Sequence, residues 1–353
     1  MSSHETLASM HSYGECITRH LARHVAIPAA TRRCLNDSVL RHLDSRMLIE
    51  DPLTPLQPLL EATPFPLPAM ASLPVLDEHV DAVGREGFGG HFLNIIGLFG
   101  HIMLTLAGSE RQNEQVRQWV AEGKRGAFLM TDAGGPSLHQ WRSQVIDDAA
   151  QGSRITLDKE WGIGALECEF AIVVLARPGQ MIPQAYLLPP DACAQLNRQS
   201  IGAAYLDGRV QLGNCQGDMA SDPDWALRRG GLMAVKQFLT FVRPRFVRAL
   251  MQHLHWLEAQ GRLSLDEQQN EMRTYLEDVA RQLSEQQSFT RYSEDDVMAL
   301  KFSSNALLFD LVEKQRVPQL MDQRDLLGFT KMEGSSYRCL LEIWQRNRGK
   351  KHA

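Results

Sequence analysis

Several common sequence patterns are missing from this chain. Its six cysteines form no Cys-x-x-Cys pair, and none of them lies at zinc-finger spacing from a pair of histidines. The chain also lacks the Gly-x-Gly-x-x-Gly turn of a dinucleotide-binding fold. Its nearest equivalent, the Gly-Phe-Gly-Gly run at 87–90, follows a helical segment and not a strand. These absences argue against a zinc module and a Rossmann core, and we expect no metal site.

Neither a strong charge excess nor a long apolar run is present. The 353 residues carry a net charge of −5, so no overall basic field indicates a nucleic-acid partner. The most apolar stretch, Phe92–Leu106, is interrupted by polar residues and glycines and is too short to span a bilayer. A hydrophobic fraction of 44% excludes a disordered chain. We expect a soluble, cytoplasmic protein with reduced thiols, no membrane span and no nucleic-acid partner.

The hydrophobic pattern changes twice along the chain. Apolar residues first recur at helical spacing, and Ser109 is placed to cap a helix that ends at Gly123. Short β-branched or alternating runs follow at 127–131, 153–157, 171–175, 185–188 and 209–212. Helical spacing returns from Asp224 and continues almost to the end. The fold class is therefore α+β, mainly α. The predicted domains are an N-terminal helical domain (1–124), a central β domain (125–218) and a C-terminal helical domain (219–353).

One predicted strand runs directly into a turn rich in small residues. The segment from Phe128 to Ser137 reads Phe-Leu-Met-Thr-Asp-Ala-Gly-Gly-Pro-Ser, with hydroxyl groups at Thr131 and Ser137. Glycines let a backbone approach a planar or anionic ligand closely, and such turns expose N–H groups. The same composition also suits an ordinary turn at the end of a strand. The segment alone leaves both interpretations open.

The neighbours of this turn, and a second segment near the end of the chain, carry a family resemblance. The central matches are Gly108, Ser109, Glu110, Gln112, Gly123, Gly126, Phe128, Thr131, Ser137, Lys159 and Trp161. Near the end, Arg324-Asp325 precedes Glu333-Gly334-Ser335, with nine positions from the arginine to the glutamate. In the order and spacing of these residues, the sequence resembles the acyl-CoA dehydrogenase family.

The resemblance implies a fold, a cofactor and a reaction. The fold is an N-terminal helical domain, a central β-barrel-like or sandwich domain and a C-terminal helical bundle. The cofactor is FAD, and the substrate is an acyl thioester of CoA. Glu333 is implied as the catalytic base that removes the α-proton, while hydride passes from the β-carbon to flavin N5. An unidentified electron acceptor and assembly as a homodimer or homotetramer are also implied.

The resemblance also assigns roles to individual residues. The residues implied to contact the cofactor are Phe128, Met130, Thr131, Ser137, Trp161, Ile163 and Ser335. The residues implied to contact the substrate are Ser137, Glu333 and Gly334. Thr131 would hydrogen-bond the flavin ring and Trp161 would pack against it. The family's Gln-rich, glycine-rich loop before the Arg-Asp pair has no counterpart in Gln315–Gln323, so the adenine half of the FAD site departs from the family pattern.

Two other interpretations stay open at this stage. The enzyme could oxidise an acyl, aminoacyl or hydroxyacyl group tethered to an acyl carrier protein. Arg243, Arg245 and Arg248 could then form a basic patch that docks the acidic carrier, or they could be an ordinary solvated helix face. Alternatively, the chain could be a non-catalytic scaffold with a degenerate FAD site. The retained glutamate at 333 argues against this last interpretation.

Overall fold

The fold of the chain is helical, then β, then helical. The computed structural model describes residues 13–43, 59, 63, 65–66, 70–135, 138–148, 152–180, 182–228, 232–290 and 292–347. The helices of the described residues are α1 (13–21), α2 (Ala29–His42), α3 (Ser72–Glu86), α4 (His91–Ala107), α5 (Glu110–Ala121), α6 (Pro190–Cys193), α7 (Leu232–Ala259), α8 (Glu267–Ser284), α9 (Ser293–Glu313), α10 (Leu320–Phe329) and α11 (Ser336–Asn347). None of these helices is both long enough and apolar enough to cross a membrane.

The strands lie mainly between helices α5 and α7, as the sequence predicts. They are β1 (Phe65–Pro66), β2 (Gly126–Leu129), β3 (Gln144–Asp148), β4 (Gly152–Ile163), β5 (Phe170–Leu175), β6 (Gln184–Leu188), β7 (Asn197–Tyr205), β8 (Val210–Ala220) and β9 (Ser288–Phe289). All five predicted β runs fall on strands. Contacts between Cα atoms divide the chain into two compact units, one formed by 1–67, 80–88 and 239–353, and the other by 68–79 and 89–238. The three-domain division at 124 and 218 remains a prediction.

The unit that contains residues 89–238 is built around two sheets. One has the order β2-β5-β6, with β2 parallel to β5 and β5 antiparallel to β6. The other has the order β3-β4-β8-β7 and is antiparallel throughout. Side chains of both sheets meet in one buried cluster, which includes Leu129, Leu157, Val173, Leu188 and Met219. This shared core fixes the ends of strands β2 and β4, where the candidate site begins.

Two strands have no clear signal in the sequence. Both β3 and β7 are edge strands of the four-stranded sheet, so one side of each lacks a neighbour within that sheet. Their sequences, Gln-Val-Ile-Asp-Asp and Asn-Arg-Gln-Ser-Ile-Gly-Ala-Ala-Tyr, are rich in polar residues. Edge strands carry polar side chains because exposed, apolar edges would pair with other chains. The alternation of apolar and polar residues is therefore weak in β3 and β7, and the sequence did not predict these two strands.

Helix α5 begins where the sequence places it. The Ser109 hydroxyl accepts a hydrogen bond from the Gln112 backbone N–H at 3.2 Å, and the Gln112 side chain accepts one from the Ser109 backbone N–H at 2.9 Å. This reciprocal pair is a capping box, which satisfies two N–H groups that the first turn leaves unpaired. The helix ends at Ala121, just before Gly123, whose φ of +83° is a left-handed conformation that glycine adopts readily.

The other unit is a helical bundle with α9 at its centre. Nearly every residue of α9 is buried, and the helix packs against α2, α8, α10 and α11. It carries several buried polar side chains, among them Asp296, Lys301 and Asn305. Buried polar groups in a central helix must find partners inside the protein, since water is excluded there. The partners of Lys301 and Asn305 lie in the segment that carries Glu333.

Candidate functional site

One candidate site is the end of strand β2 together with the middle of β4. Beyond Leu129 the chain continues antiparallel to β4, and Asp132 forms a bridge with Lys159. The Glu160 backbone N–H donates to the Thr131 carbonyl at 3.1 Å. Thr131 is thus paired with the residue that precedes Trp161. Residues about thirty positions apart in sequence are brought together by the end of β2 and by β4, which belong to different sheets.

A buried lysine fixes this strand end. The Lys159 ammonium donates to the Val174 carbonyl at 2.6 Å, to the Met130 carbonyl at 3.2 Å and to the Asp132 carboxylate at 3.3 Å. It also lies 4.7 Å from the ring centroid of Trp141. Burial lowers the pKa of Lys159 to about 8, although the Asp132 charge opposes this shift. Three acceptors for three donors make Lys159 a structural anchor of the site and not a reacting group.

Trp161 stands on an irregularity of strand β4. The pairing register with β8 shifts between Lys159 and Gly162, and Trp161 adopts a φ of +58°, which is unfavourable for a residue with a Cβ atom. Its backbone N–H donates to the Asn214 side-chain oxygen at 3.3 Å, and its side chain is 56% exposed. Strain of this kind in a native structure is a common mark of a functional site. The bulge presents the indole ring to solvent instead of packing it into the sheet.

The groups beside Trp161 are also open to a ligand. Thr131 is exposed, and its hydroxyl has no hydrogen-bond partner among the described residues. Met130 and Ile163 are half-buried. Phe128 is half-buried too, and its ring lies 5.1 Å from that of Phe238. Ser137, the remaining predicted residue of this segment, lies outside the described residues.

A second candidate site lies within the helical bundle. Helix α10 ends at Phe329 and α11 begins at Ser336, and residues 330–335 form a tight turn between them. Within this turn Glu333 has a φ of +58° and Gly334 a φ of +117°. The Arg243 guanidinium donates from Nε to the Glu333 carbonyl at 2.8 Å. A Cβ atom at position 334 would lie only 3.2 Å from Arg243 Nη2, so glycine suits this position on two counts.

The turn exposes backbone donors next to an acid. Among the described residues, the backbone N–H groups of Glu333 and Gly334 have no acceptor. Successive unpaired N–H groups in left-handed conformations make a small concave site for a negatively charged oxygen. Ser335 is exposed, and its carbonyl accepts from the Cys339 N–H at 3.1 Å in the first turn of α11. The turn can therefore bind an oxygen atom while the Glu333 side chain acts nearby.

Burial changes the acidity of Glu333. It raises the pKa of this carboxyl, while the positive charges of Arg243 and Lys301 act in the opposite direction. A carboxyl group whose pKa rises toward neutrality becomes a stronger base, and it can still be ionised at working pH. This combination of strain, burial and neighbouring cations is typical of a functional acid or base and unusual for a surface glutamate.

The sequence misplaced one group of basic residues. Arg243 and Arg245 are 8% and 4% exposed, so they form neither a surface docking patch nor a solvated helix face. Arg245 donates instead to the Phe241 and Ser284 carbonyls, and Arg248 pairs with Asp81. The sequence pattern of closely spaced arginines looks the same whether the helix face meets water or a polar interior. Arg243 instead binds the turn at Glu333, a contact that the sequence did not predict.

The short segment before the Arg-Asp pair contacts the rest of the helical bundle at several positions. Arg316 pairs with Asp266 at 2.7 Å, and the Ser264 N–H donates to the Arg316 carbonyl at 3.0 Å. The Gln323 side chain donates to the Val317 carbonyl at 2.7 Å. Arg316, Val317 and Gln323 thus contact groups of the protein, while Gln315 and 318–321 are exposed. The segment contains no glycine, as the sequence already indicates.

Comparisons with known proteins place the fold. No family model matches the sequence, and neither does any curated protein. Among solved structures, glutaryl-CoA dehydrogenase from Mycobacterium smegmatis in complex with FADH2 is similar, with a TM-score of 0.59 and 14% identity over 100% of this chain and 96% of that one. The FAD complex of PigA has a TM-score of 0.59 and 9% identity over 98% of this chain and 97% of that one. The prolyl acyl carrier protein oxidase AnaB has a TM-score of 0.55 and 9% identity over 97% and 91%. The helical and β parts described above are therefore those of the acyl-CoA dehydrogenase fold.

Proposed function

We propose that this chain is a flavin-dependent dehydrogenase that oxidises an acyl group held as a thioester. The observation that carries the proposal is the turn at Glu333, where a strained, partly buried glutamate lies beside free backbone N–H groups. An enzyme of this class needs a base for a weakly acidic α-proton and donors for the oxygen that gains negative charge. The turn offers both, in a fold whose solved examples include FAD complexes.

The residues at the end of β2 fit a flavin ring. The exposed indole of Trp161 offers an apolar surface, and the unpaired Thr131 hydroxyl offers a donor for the polar edge of the ring. We propose that Phe128, Met130 and Ile163 complete this surface. Ser137 and Ser335 are proposed to contact the remainder of the cofactor. When bound, FAD supplies the acceptor for the hydride that leaves the substrate β-carbon.

Residues of the chain itself are proposed to remove the α-proton of the substrate and to stabilise the charge that results. The ionised Glu333 carboxylate takes the α-proton of the thioester, which leaves the carboxyl neutral and places negative charge on the thioester oxygen. The backbone N–H groups of Glu333 and Gly334 donate to that oxygen. Substrate that covers the turn excludes water, which strengthens these hydrogen bonds and raises the proton affinity of the carboxylate further. Arg243 keeps the turn in place through the Glu333 carbonyl.

The proposal predicts that the protein binds FAD and that Trp161 contributes to the binding. Purified protein, or protein freed of flavin and mixed with FAD, should show the visible absorbance of a bound flavin. Trp161→Ala should weaken FAD binding about tenfold, since it removes an apolar contact worth on the order of 1.5 kcal/mol. Quenching of FAD fluorescence in a titration measures the Kd of each protein.

Ile182→Ala is the matched control for this titration. Ile182 is 54% exposed in the same unit, so its removal also deletes a large exposed apolar side chain. We expect this variant to bind FAD as the wild type does. Equal FAD affinities for Trp161→Ala and the wild type would contradict the assignment of Trp161. Failure of the folded wild type to bind FAD at all would contradict the proposed function.

A carrier-bound substrate is the second candidate. The similarity to the prolyl acyl carrier protein oxidase AnaB over 97% of this chain favours it. The two candidates differ only in what holds the acyl group. Turnover of one acyl group presented on CoA and on an acyl carrier protein separates them, because a carrier-specific enzyme should show a higher kcat/KM with the carrier. Equal or better turnover of the CoA form would reject this candidate.

A further inference from the structure

Lys301 is a buried cation that the reaction proposed above does not use. It lies in the middle of α9 and is 0% exposed. Removing an ammonium group from water costs several kcal/mol unless nearby groups compensate. Lysine at such a position is rare in proteins and is kept where its charge or its hydrogen bonds serve a purpose. The neighbours of Lys301 indicate which purpose it serves.

The direct contacts of Lys301 are few. Its Nζ donates to the Phe329 carbonyl at 2.9 Å and lies 5.2 Å from the ring centroid of Phe246. An ammonium group has three donors, and within the described residues this carbonyl is the one hydrogen-bond acceptor that Lys301 reaches. Burial lowers its pKa to about 7, while the negative charge of Glu333 acts in the opposite direction. The Phe329 carbonyl and the Phe246 ring offset the cost of burying the Lys301 charge only in part. The negative charge of Glu333 offsets this cost further.

Buried donors from two helices converge on the turn that carries Glu333. Lys301 binds the carbonyl of Phe329, where helix α10 ends. Asn305, one helical turn further along α9, donates to the Thr330 carbonyl and to the Ser336 hydroxyl, both at 3.1 Å. Arg243 on α7 binds the Glu333 carbonyl. The backbone of the turn is thus held at its start by α9 and at Glu333 by α7.

We propose that Lys301 is a positioning residue for Glu333. It fixes the start of the turn through Phe329 and places a positive charge near the Glu333 carboxylate, which favours the deprotonated, basic form. This inference deepens the proposed function and rests on it, since it assumes that Glu333 is the base. The inference goes beyond the proposed function because it assigns control of the base to Lys301, a residue that is proposed to contact neither substrate nor cofactor.

The electrostatic part of the argument involves three elements. The charged or titratable groups that act on Glu333 or on Lys301 are Arg243 on α7, Lys301 on α9 and Cys339 on α11. Burial raises the pKa of the Cys339 thiol, so this group stays neutral at working pH. Lys301 is one of the two cations of this set, and its loss should make Glu333 harder to ionise.

The decisive variant is Lys301→Met, which keeps a similar length and removes the charge. We expect the acid limb of the pH profile of flavin reduction to move to higher pH by about one unit, because a neighbouring opposite charge favours the ionised form of a carboxyl group. Above this limb the rate should approach that of the wild type, and KM should change little. An unchanged acid limb in a folded Lys301→Met protein would overturn the proposal.

Asn305→Ala is the matched control. It removes hydrogen bonds to the same turn from the same helix face but leaves the charge of Lys301 in place. A merely structural role for these side chains predicts similar effects of both variants on kcat. The proposal predicts that only Lys301→Met moves the acid limb. Equal displacement of the limb in both variants would overturn the electrostatic role.

Two further measurements keep the result independent of activity. Infrared difference spectra against Glu333→Gln give the titration of the Glu333 carboxyl in ligand-free protein, and this titration should move to higher pH in Lys301→Met. If the wild type reduces no flavin and this shift still occurs, the proposed function fails and the coupling stands. If flavin is reduced and the carboxyl titration stays in place, the coupling fails. Lys301 should also contribute to stability between pH 7 and about 10.4, because the unfolded lysine binds a proton that the folded one has lost. Over this range the free energy of unfolding of the wild type should therefore rise relative to that of Lys301→Met.

Discussion

Replacing Glu333 by glutamine should lower the rate of flavin reduction by an acyl thioester about a thousandfold. Glutamine has the shape of glutamate but cannot accept the α-proton. The turn itself should persist, since Arg243 binds the backbone carbonyl of residue 333 and not its side chain. FAD binding and the free energy of unfolding should therefore stay close to those of the wild type. Stopped-flow absorbance under anaerobic conditions measures the loss directly.

The matched control is Glu313→Gln, at an exposed glutamate of the same unit. Glu313 pairs with Arg41 on the surface, and such pairs contribute little to stability. This variant should reduce flavin at the wild-type rate. A Glu333→Gln protein that keeps full activity would show that another group removes the proton. A wild type that binds FAD but is reduced by no acyl thioester would instead favour the interpretation of the chain as a non-catalytic scaffold.

Replacing Asp296 by asparagine should lower the free energy of unfolding by about 3–5 kcal/mol, because it breaks a buried charge cluster. Asp296 is 1% exposed and accepts from His20 at 2.7 Å, from His24 at 2.9 Å and from Arg23 at 3.0 Å. The cluster joins the segment that begins with α1 to the start of α9. Asparagine keeps the shape but has one acceptor oxygen, so buried donors lose their partner.

Chemical denaturation followed by tryptophan fluorescence measures this loss, since Trp344 is buried against Tyr13 in the same bundle. Asp278→Asn is the control, because the Asp278 side chain is 44% exposed and its ion pair among the described residues is with Arg281 along one helix face. We expect the control to change stability by less than about 1 kcal/mol. A similar small loss for both variants would show that the Asp296 cluster contributes no more than a surface pair.

The pH dependence of the Asp296 effect has a definite sign. Burial opposes ionisation of this carboxyl, but the hydrogen bonds from His20 and His24 outweigh it, and the folded pKa lies below the usual value. A lowered folded pKa contributes stability above the unfolded pKa of about 3.9, and this contribution is lost as pH falls through the folded pKa. The stability gap between the wild type and Asp296→Asn should therefore be constant near neutral pH and narrow in acid.

Much of the fold could be predicted from the sequence because its signals are local. The capping box at Ser109 and the glycine at 123 mark the ends of one helix. Buried strands such as β5 can be recognised in the sequence by their β-branched residues. The edge strands β3 and β7 carry polar side chains on exposed backbone, so their pattern resembles that of loops. Whether a strand lies at the edge or in the centre of a sheet depends on the tertiary structure. A single sequence holds little information about this position.

The candidate site shows the same division. Thr131 and Trp161 were predicted to contact the same flavin ring, which stays a prediction, and the hydrogen bond from the Glu160 N–H to the Thr131 carbonyl brings their strands together. The contacts of Arg243 and Lys301 with the segment that carries Glu333 were not predicted. A cation inside a helical pattern normally indicates a solvated face, and only the packing of α7 and α9 shows that these two cations point into the bundle. Their hydrogen-bond partners are backbone carbonyls, and every residue type has one, so the sequence cannot indicate which carbonyl is bound.

The central claim is that this chain oxidises an acyl thioester with a bound flavin. Anaerobic mixing of the FAD-loaded protein with butyryl-, octanoyl- and palmitoyl-CoA, and with the same acyl groups on an acyl carrier protein, tests it most directly. Loss of the visible flavin absorbance with at least one of these thioesters, and formation of the α,β-unsaturated product, is the predicted result. Flavin that stays oxidised with every thioester, yet is bleached by dithionite, would contradict the claim.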